Sequence, residues 1–289
     1  LKMAKNEQDP LAEISKITPE LALFNIRLLP PDLIKSKNDF SIEGANIRFG
    51  LNAIKNISEK TSEALSTFRG KTYSNKFEVF TEAKEAGLNI GNLCALIQAG
   101  CLDSFGTERS LLQLEAQTFN QLNVKEKTYI LGYGQAFNYD IISCLKAVGE
   151  GKLLTEKNKP IISDKRLITL REKYKSYKSL YEHNCQHQKF CQWFFERKLL
   201  GYSYSKTLRE VFQEPKERFS PILELISVDD GTEVRIVGVV TECVKSKSKK
   251  TDNKYMRITL SDETGKVTNL LMDNKREKKM TNYLENHKT

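Results

Sequence analysis

The chain has 289 residues, 39% hydrophobic and 29% charged, with a formal net charge of +9. That composition suits a soluble, foldable protein of one or two domains, and no run of eighteen apolar residues is present to span a membrane. The six cysteines (94, 101, 144, 185, 191 and 243) are scattered without a CxxC pair, which excludes a disulfide scaffold and reads as reduced thiols in a cytoplasmic setting. The charge is unevenly placed: residues 151–200 carry 12 basic against 5 acidic side chains and residues 241–289 carry 12 against 7. A local excess of this kind fits a phosphate-backbone partner, although a solvated lysine surface has the same composition.

In chain order, residues 1–20 read as a helix frayed at its start, and Ile26–Leu29 as a short strand ended by Pro30-Pro31, with weakly alternating Phe40–Phe49 as its pairing partner. From Gly50 to Arg69 the apolar residues keep helical spacing on both sides of a polar turn, Asn56–Lys60. Asn92–Ala99 is a further helix stopped by Gly100, and another begins after Gly106-Thr107. Residues 120–200 are mostly helical, with breaks at Gly149–Gly151 and near Pro160. Beyond Pro215 and Pro221 three β-branched runs follow, Glu233–Val244, Tyr255–Ser261 and Val267–Met272, which predict a β-meander.

Residues 50–69 and 93–112 therefore read as two helical hairpins. A tight turn can aim the unpaired N–H groups of the second helix outward, where they and the helix dipole bind a phosphate with no base information. In the first hairpin Ser58 or Thr61 is the cap candidate, Asn56 lies in the turn, and Lys55 and Lys60 are placed to reach an adjacent phosphate. In the second, Gly100 and Gly106 permit close backbone approach, Ser104 or Thr107 can cap, and Arg109 opens the following helix. A turned helix pair is also a common packing device; two in tandem favour nucleic acid. Residues 51–150 sum to a charge of only −1, so the grip there rests on backbone amides.

In the meander, Lys245, Lys247, Lys249, Lys250, Lys254 and Arg257 line one loop and its exits, with Tyr255 as the single aromatic platform. A solvated lysine loop is the competing reading. His183, His187 and Cys191 would share one face of a continuous helix, but the spacing is unlike zinc fingers and the nearby Phe190, Trp193, Phe194 and Phe195 point to packing. The acidic pairs Asp229-Asp230 and Asp262-Glu263 sit beside Gly at turns, and neither a two-metal carboxylate set nor a phosphate-binding GxxxxGK[ST] loop is found, so no catalytic residue is assigned.

These residues carry a family resemblance. RLLPPDLIKSKNDF…IRFGLNAIKNISEKTSEAL resembles the end of the fingers and the first hairpin of the bacterial DNA polymerase III alpha subunit family, matching at Pro30, Pro31, Asp32, Ser36, Ile47 to Leu51 and Ala53 to Lys55. Residues 93–112 resemble that family's LI.AGAFDSLG..R segment, ERKLLGYSYSKTL its linker, and VRIVGVVTECV…ITLSDETGKVTNLL its OB barrel, in collinear order. The resemblance implies a mostly helical α+β chain: fingers-like residues 1–49, tandem helix-hairpin-helix 50–150, a helical connector 151–220 and an incomplete OB-fold 221–289. It implies the primer-template-binding part of a replicative polymerase; the start on Leu1 rather than Met separately suggests a fragment or a processed chain. Duplex DNA, single-stranded template, a sliding clamp and other replisome subunits are the implied partners. No cofactor is expected in this segment, and Mg2+ only in the nucleotidyl-transferring parent. Alternatives are a non-enzymatic DNA-binding accessory protein and a clamp or polymerase scaffold. Departures are Asn56-Ile57-Ser58 in place of the usual glycine turn, Lys206-Thr207 in place of His-Pro, and only a poor clamp-binding candidate, QAFNY at 135–139. They suggest a phage or atypical version.

Overall fold

The computed structural model describes residues 8–212, 218–247 and 254–271. The chain is a mostly helical α+β protein in two compact units, residues 1–205 and 206–289. Among the described residues no helix is long and apolar enough to cross a membrane.

The first unit opens with α1, Pro10–Leu23, whose start is set by Pro10 and by Asp9 accepting from the Ala12 N–H at 3.1 Å. A small sheet follows: β1 (Leu28–Leu29) pairs in parallel with β3 (Asn46–Arg48), which pairs antiparallel with β2 (Ser41–Glu43). The loop between β1 and β2 is tied internally. Asp32 Oδ1 accepts from the N–H groups of Ile34 and Lys35, and Arg48 reaches Glu43 and the Pro30 carbonyl. Gly50 is required by space, since a Cβ there would lie 2.5 Å from the Asp39 carbonyl carbon.

Next come α2 (Glu59–Ala64), α3 (Lys76–Glu85), α4 (Ile90–Gln98), α5 (Arg109–Asn120), α6 (Val124–Tyr133), α7 (Ile141–Gly149), α8 (Asp164–Cys185) and α9 (Gln188–Leu200). Their boundaries follow cap chemistry: Asn75, Asn89 and Asp140 accept from the first turns of α3, α4 and α7, and Asn123 with Glu126 closes a capping box on α6. One core runs through this unit, from Ile14 of α1 through Phe49, Phe68, Phe77, Leu96 and Phe119 to Leu200 and Tyr202. Residues expected in separate stretches, 1–49, 50–150 and the connector 151–220, thus contribute, as far as Tyr202, to a single interior. The QAFNY segment belongs to it as well, because Tyr139 packs edge-on against Phe77 with ring centroids 5.6 Å apart.

α8 and α9 are separate helices, with His187 at the cap of α9. His183, His187 and Cys191 therefore do not share a helix face, and no group of three metal-ligating side chains occurs among the described residues. Phe190 instead stacks on Trp193 and Phe194.

The second unit holds α10 (Leu208–Phe212) and the antiparallel meander β4 (Val239–Lys247), β5 (Lys254–Ser261) and β6 (Lys266–Leu271). β4 starts six residues later than the β-branched run suggests. Its ladder begins where Val239 meets Ser261, the last residue of β5, and the residues before it pair with no strand among the described residues. Asp262 is buried and local: its Oδ1 accepts from the N–H groups of Thr264 and Gly265, and its Oδ2 from Ile222 N–H at 2.9 Å.

Candidate nucleic-acid interface

The first hairpin is not a pair of full helices. Its leading arm is a single 3-10 turn, Leu51–Ala53, after which Ile54 is extended. The cause is tertiary: Ile54 and Ile57 are buried, and the Lys55 N–H donates to the Leu199 carbonyl of α9 at 2.9 Å, which draws the backbone out of a helical path. Asn56 then takes a left-handed conformation, φ +72°, and so does the work of the missing glycine. Ser58 is the cap of α2, accepting from the Thr61 N–H at 3.2 Å, and Thr61 contributes a hydroxyl contact to Ser58 at 2.9 Å. Lys55, Asn56, Ser58 and Lys60 form one exposed run around the turn, while Ile57 anchors it from below.

The second hairpin is built from α4 and α5, but its arginine faces inward while Asp103 and Ser104 stay exposed. Gly100 (φ +87°) is buried, and a Cβ there would lie 1.9 Å from the Tyr204 hydroxyl and 2.5 Å from Arg109 Nη2. The glycine therefore admits these two side chains rather than a ligand. Gly106 (φ +67°) faces open space, so it serves the left-handed turn alone. Neither Ser104 nor Thr107 caps α5. Glu108 occupies the cap position without a side-chain bond to the backbone, because Ser104 is taken up in the short 3-10 turn Asp103–Phe105 that Gly106 ends.

Arg109, which the sequence places at the start of the helix after the turn as a candidate nucleic-acid contact, is 8% exposed and fully engaged within the fold. It donates to both oxygens of Asp103 (2.8 and 2.6 Å), to Glu196 Oε1 at 2.7 Å and to the Tyr204 hydroxyl at 2.7 Å. Glu196 is itself completely buried, and its other oxygen accepts from Ser203 Oγ and from the N–H groups of Tyr204 and Ser205. Burial works against the Arg109 charge, yet Asp103, Tyr204 and Glu196 hold its pKa above the ordinary value. Burial also raises the Tyr204 hydroxyl, against the pull of Arg109. The network joins the hairpin loop to α9 and to residues 203–205. Sequence reading passed over Glu196 and Tyr204 as partners. The available signal was a glutamate and a tyrosine inside ERKLLGYSYS, a segment collinear with the arginine-bearing one.

In the meander, alternation divides the expected cations. Register places Val244 opposite Arg257 and Ser246 opposite Tyr255 on one face, whereas Lys245, opposite Met256, and Lys247 fall on the other; Lys254 is the ladder partner of Lys247. On the first face Arg257 is exposed and pairs with Glu242 at 3.0 Å, beside half-buried Tyr255. Lys245 and Lys247 are exposed. Lys249 and Lys250 lie outside the described residues.

Half of the basic side chains of residues 151–200, six of twelve, lie on α8. This helix docks through Leu167, Leu170, Tyr174, Tyr177 and Tyr181, at alternating three- and four-residue steps, and exposes Lys165, Arg171, Lys173, Lys175 and Lys178. Arg166 is half-buried against Glu126 and the Gln121 carbonyl.

Comparison with known proteins adds two findings. Residues 25–112 match the helix-hairpin-helix motif family. The chain is also similar to curated proteins named DNA polymerase III subunit alpha. That of Aquifex aeolicus is 28% identical over 250 residues (85% of this chain, 17% of the relative), and that of Chlamydia pneumoniae 22% over 260 residues (89% and 19%). The Thermus aquaticus protein is 32% identical over 114 residues, 39% of this chain and 9% of its own length. The chain thus spans less than a fifth of the length of these relatives.

Proposed function

We propose that the chain is a DNA-gripping portion of a replicative polymerase of the DNA polymerase III alpha type, holding primer-template duplex by its phosphates without reading sequence. The observation that carries this is the exposed turn Lys55–Lys60 inside the matched helix-hairpin-helix region, where left-handed Asn56 and the Ser58 cap fix the backbone and two lysines flank it. Such a turn offers N–H groups and positive charge to a phosphate and has no side chain directed at base edges. The exposed cations of α8 supply the longer-range attraction. The Tyr255–Arg257 face of the meander supplies a small platform for an unpaired strand. In this reading nucleotidyl transfer with two Mg2+ ions belongs to parts of the parent outside this sequence, and a sliding clamp is a neighbour in the replisome.

The test is fluorescence anisotropy of a labelled primer-template with the whole chain. Affinity should fall steeply between about 50 and 200 mM salt, with a slope of roughly −0.9 per phosphate neutralised, and be indifferent to scrambling the duplex sequence. Lys55→Glu with Lys60→Glu should weaken binding by at least about tenfold, close to 1.4 kcal/mol. Affinity that ignores both salt and this double variant would discard the reading.

A further inference from the structure

We infer that the groove between α7 and α8 is a docking site for an acidic peptide segment bearing a bulky apolar side chain. Ile142 and Leu145, one turn apart on α7, face Leu167, Leu170 and Tyr174 of α8 across an open cleft of about 330 Å3. That volume is at the lower end of ligand-sized clefts, ~300–1,000 Å3. Its walls are aliphatic apart from one tyrosine ring, and Tyr174 is half-buried, with its hydroxyl pKa raised by burial. Leu167 and Leu170 belong to the core, so the floor is firm, while Ile142 and Leu145 remain partly open to solvent.

The rim selects the partner's charge. Lys146 stands on α7, and the Arg171 guanidinium lies over Gly149 at the C-terminal end of that helix, where a Cβ would be 2.8 Å from Nη2. A cation there is favoured by the helix dipole. Lys175 follows Arg171 one turn along α8. Among the described residues none of these three cations is in an ion pair, whereas the one rim carboxylate, Glu150, is bridged to Lys152 at 2.7 Å. An apolar floor under a cationic rim complements an acidic segment that buries one large side chain: the anchor supplies the affinity, and the rim steers association. A nucleobase fits less well, because the floor is aliphatic and the hydrogen-bonding groups its edges need stand only at the rim and on Tyr174. The groove shares no residue with the turn at Lys55–Lys60, but Arg171 and Lys175 on its rim are also among the α8 cations assigned to long-range DNA attraction, so the apolar anchor position Leu145 is what separates the two roles.

The experiment uses the whole chain and a short, labelled, acidic peptide carrying one phenylalanine, with a charge-matched control peptide lacking it. Saturable binding is expected, weakened at least about tenfold by Leu145→Asp and about fivefold by Arg171→Glu, and at least about tenfold weaker for the control. Circular dichroism and the urea midpoint confirm that each variant is folded; if Leu145→Asp is not, Lys146→Glu with Arg171→Glu on the exposed rim takes its place. Primer-template affinity should be unchanged by Leu145→Asp. Equal binding of both peptides, or insensitivity to the groove variants, reduces the interaction to charge adsorption and overturns the inference. Loss of DNA affinity in Leu145→Asp, with DNA displacing the peptide, would assign the groove to nucleic acid instead.

Discussion

The turn at Asn56 and the turn running from Gly100 to Gly106 both use left-handed residues to reverse the chain between helical segments, yet they direct their basic side chains oppositely. Around Asn56 the apolar side chains of Ile54 and Ile57 go inward, and Lys55, Ser58 and Lys60 are left at the surface. Around Gly100 the basic side chain goes inward, and Arg109 is locked between Asp103, Glu196 and Tyr204. A hairpin in the sequence therefore does not announce an outward grip. What decides is whether the neighbouring elements supply buried acceptors for its cation, as α9 does with Glu196.

The largest effects should separate the hairpins by stability. Arg109→Ala leaves the fully buried Glu196 without its counter-charge and should cost ~3–5 kcal/mol, with Glu196→Ala similar in size. Lys55→Ala and Lys60→Ala, at exposed positions, should stay within about 0.5 kcal/mol. Urea denaturation measures both, and comparable losses at the two hairpins would erase the distinction. Arg109→Ala is accordingly a poor probe of DNA contact, since it reports on folding first.

Backbone substitutions sharpen the contrast at smaller scale. Gly100→Ala meets both a left-handed φ and the Tyr204 hydroxyl and should lose about 2–5 kcal/mol, while Gly106→Ala, with open space around it, should lose only about 1–2 kcal/mol. Asn56→Gly should be neutral or stabilising by at most about 1 kcal/mol, because it relieves the left-handed strain. A Gly106 loss matching that of Gly100 would show that conformation, not the closeness of Tyr204, governs the second turn.

A pH-dependent effect concerns a buried cation with no ion-pair partner among the described residues. Lys127 is 7% exposed and lies over the Phe119 ring; burial first, then the nearby Lys84, lower its pKa from 10.5 to about 8. The unfolded chain therefore holds this proton more tightly than the folded one. The penalty is complete below pH 8 and fades as pH rises from about 8 to 10.5, so this group makes stability climb across that window. Subtracting the pH profile of Lys127→Met from that of the parent isolates the contribution. A difference that is flat across the window would mean the ammonium is better solvated than its surroundings imply.

Much of the fold was readable because local chemistry specified it. The stops at Gly100 and Gly149–Gly151, the Ser58 cap, the strand at Leu28–Leu29 and the meander all appear close to where residue types and periodicity place them. The collinear motifs were readable too, although much of what they encode is structural. Asp32 ties its own loop, Gly50 clears the Asp39 backbone, and Arg109 and Glu196, from two separate motifs, bond to one another.

What periodicity could not supply was the direction of each polar group. The first arm of the leading hairpin shrank to a 3-10 turn because a carbonyl of α9, more than a hundred residues away, claims the Lys55 N–H. The meander's cations fall on two faces because pairing register, not loop membership, sorts them. Composition and spacing by themselves determined the order of helices and strands, the lysine-rich stretches and the hairpin turns, since these depend on neighbours within a few residues. Tertiary structure alone decided which charges are neutralised internally and which remain at the surface, since burial depends on partners brought together from distant parts of the chain.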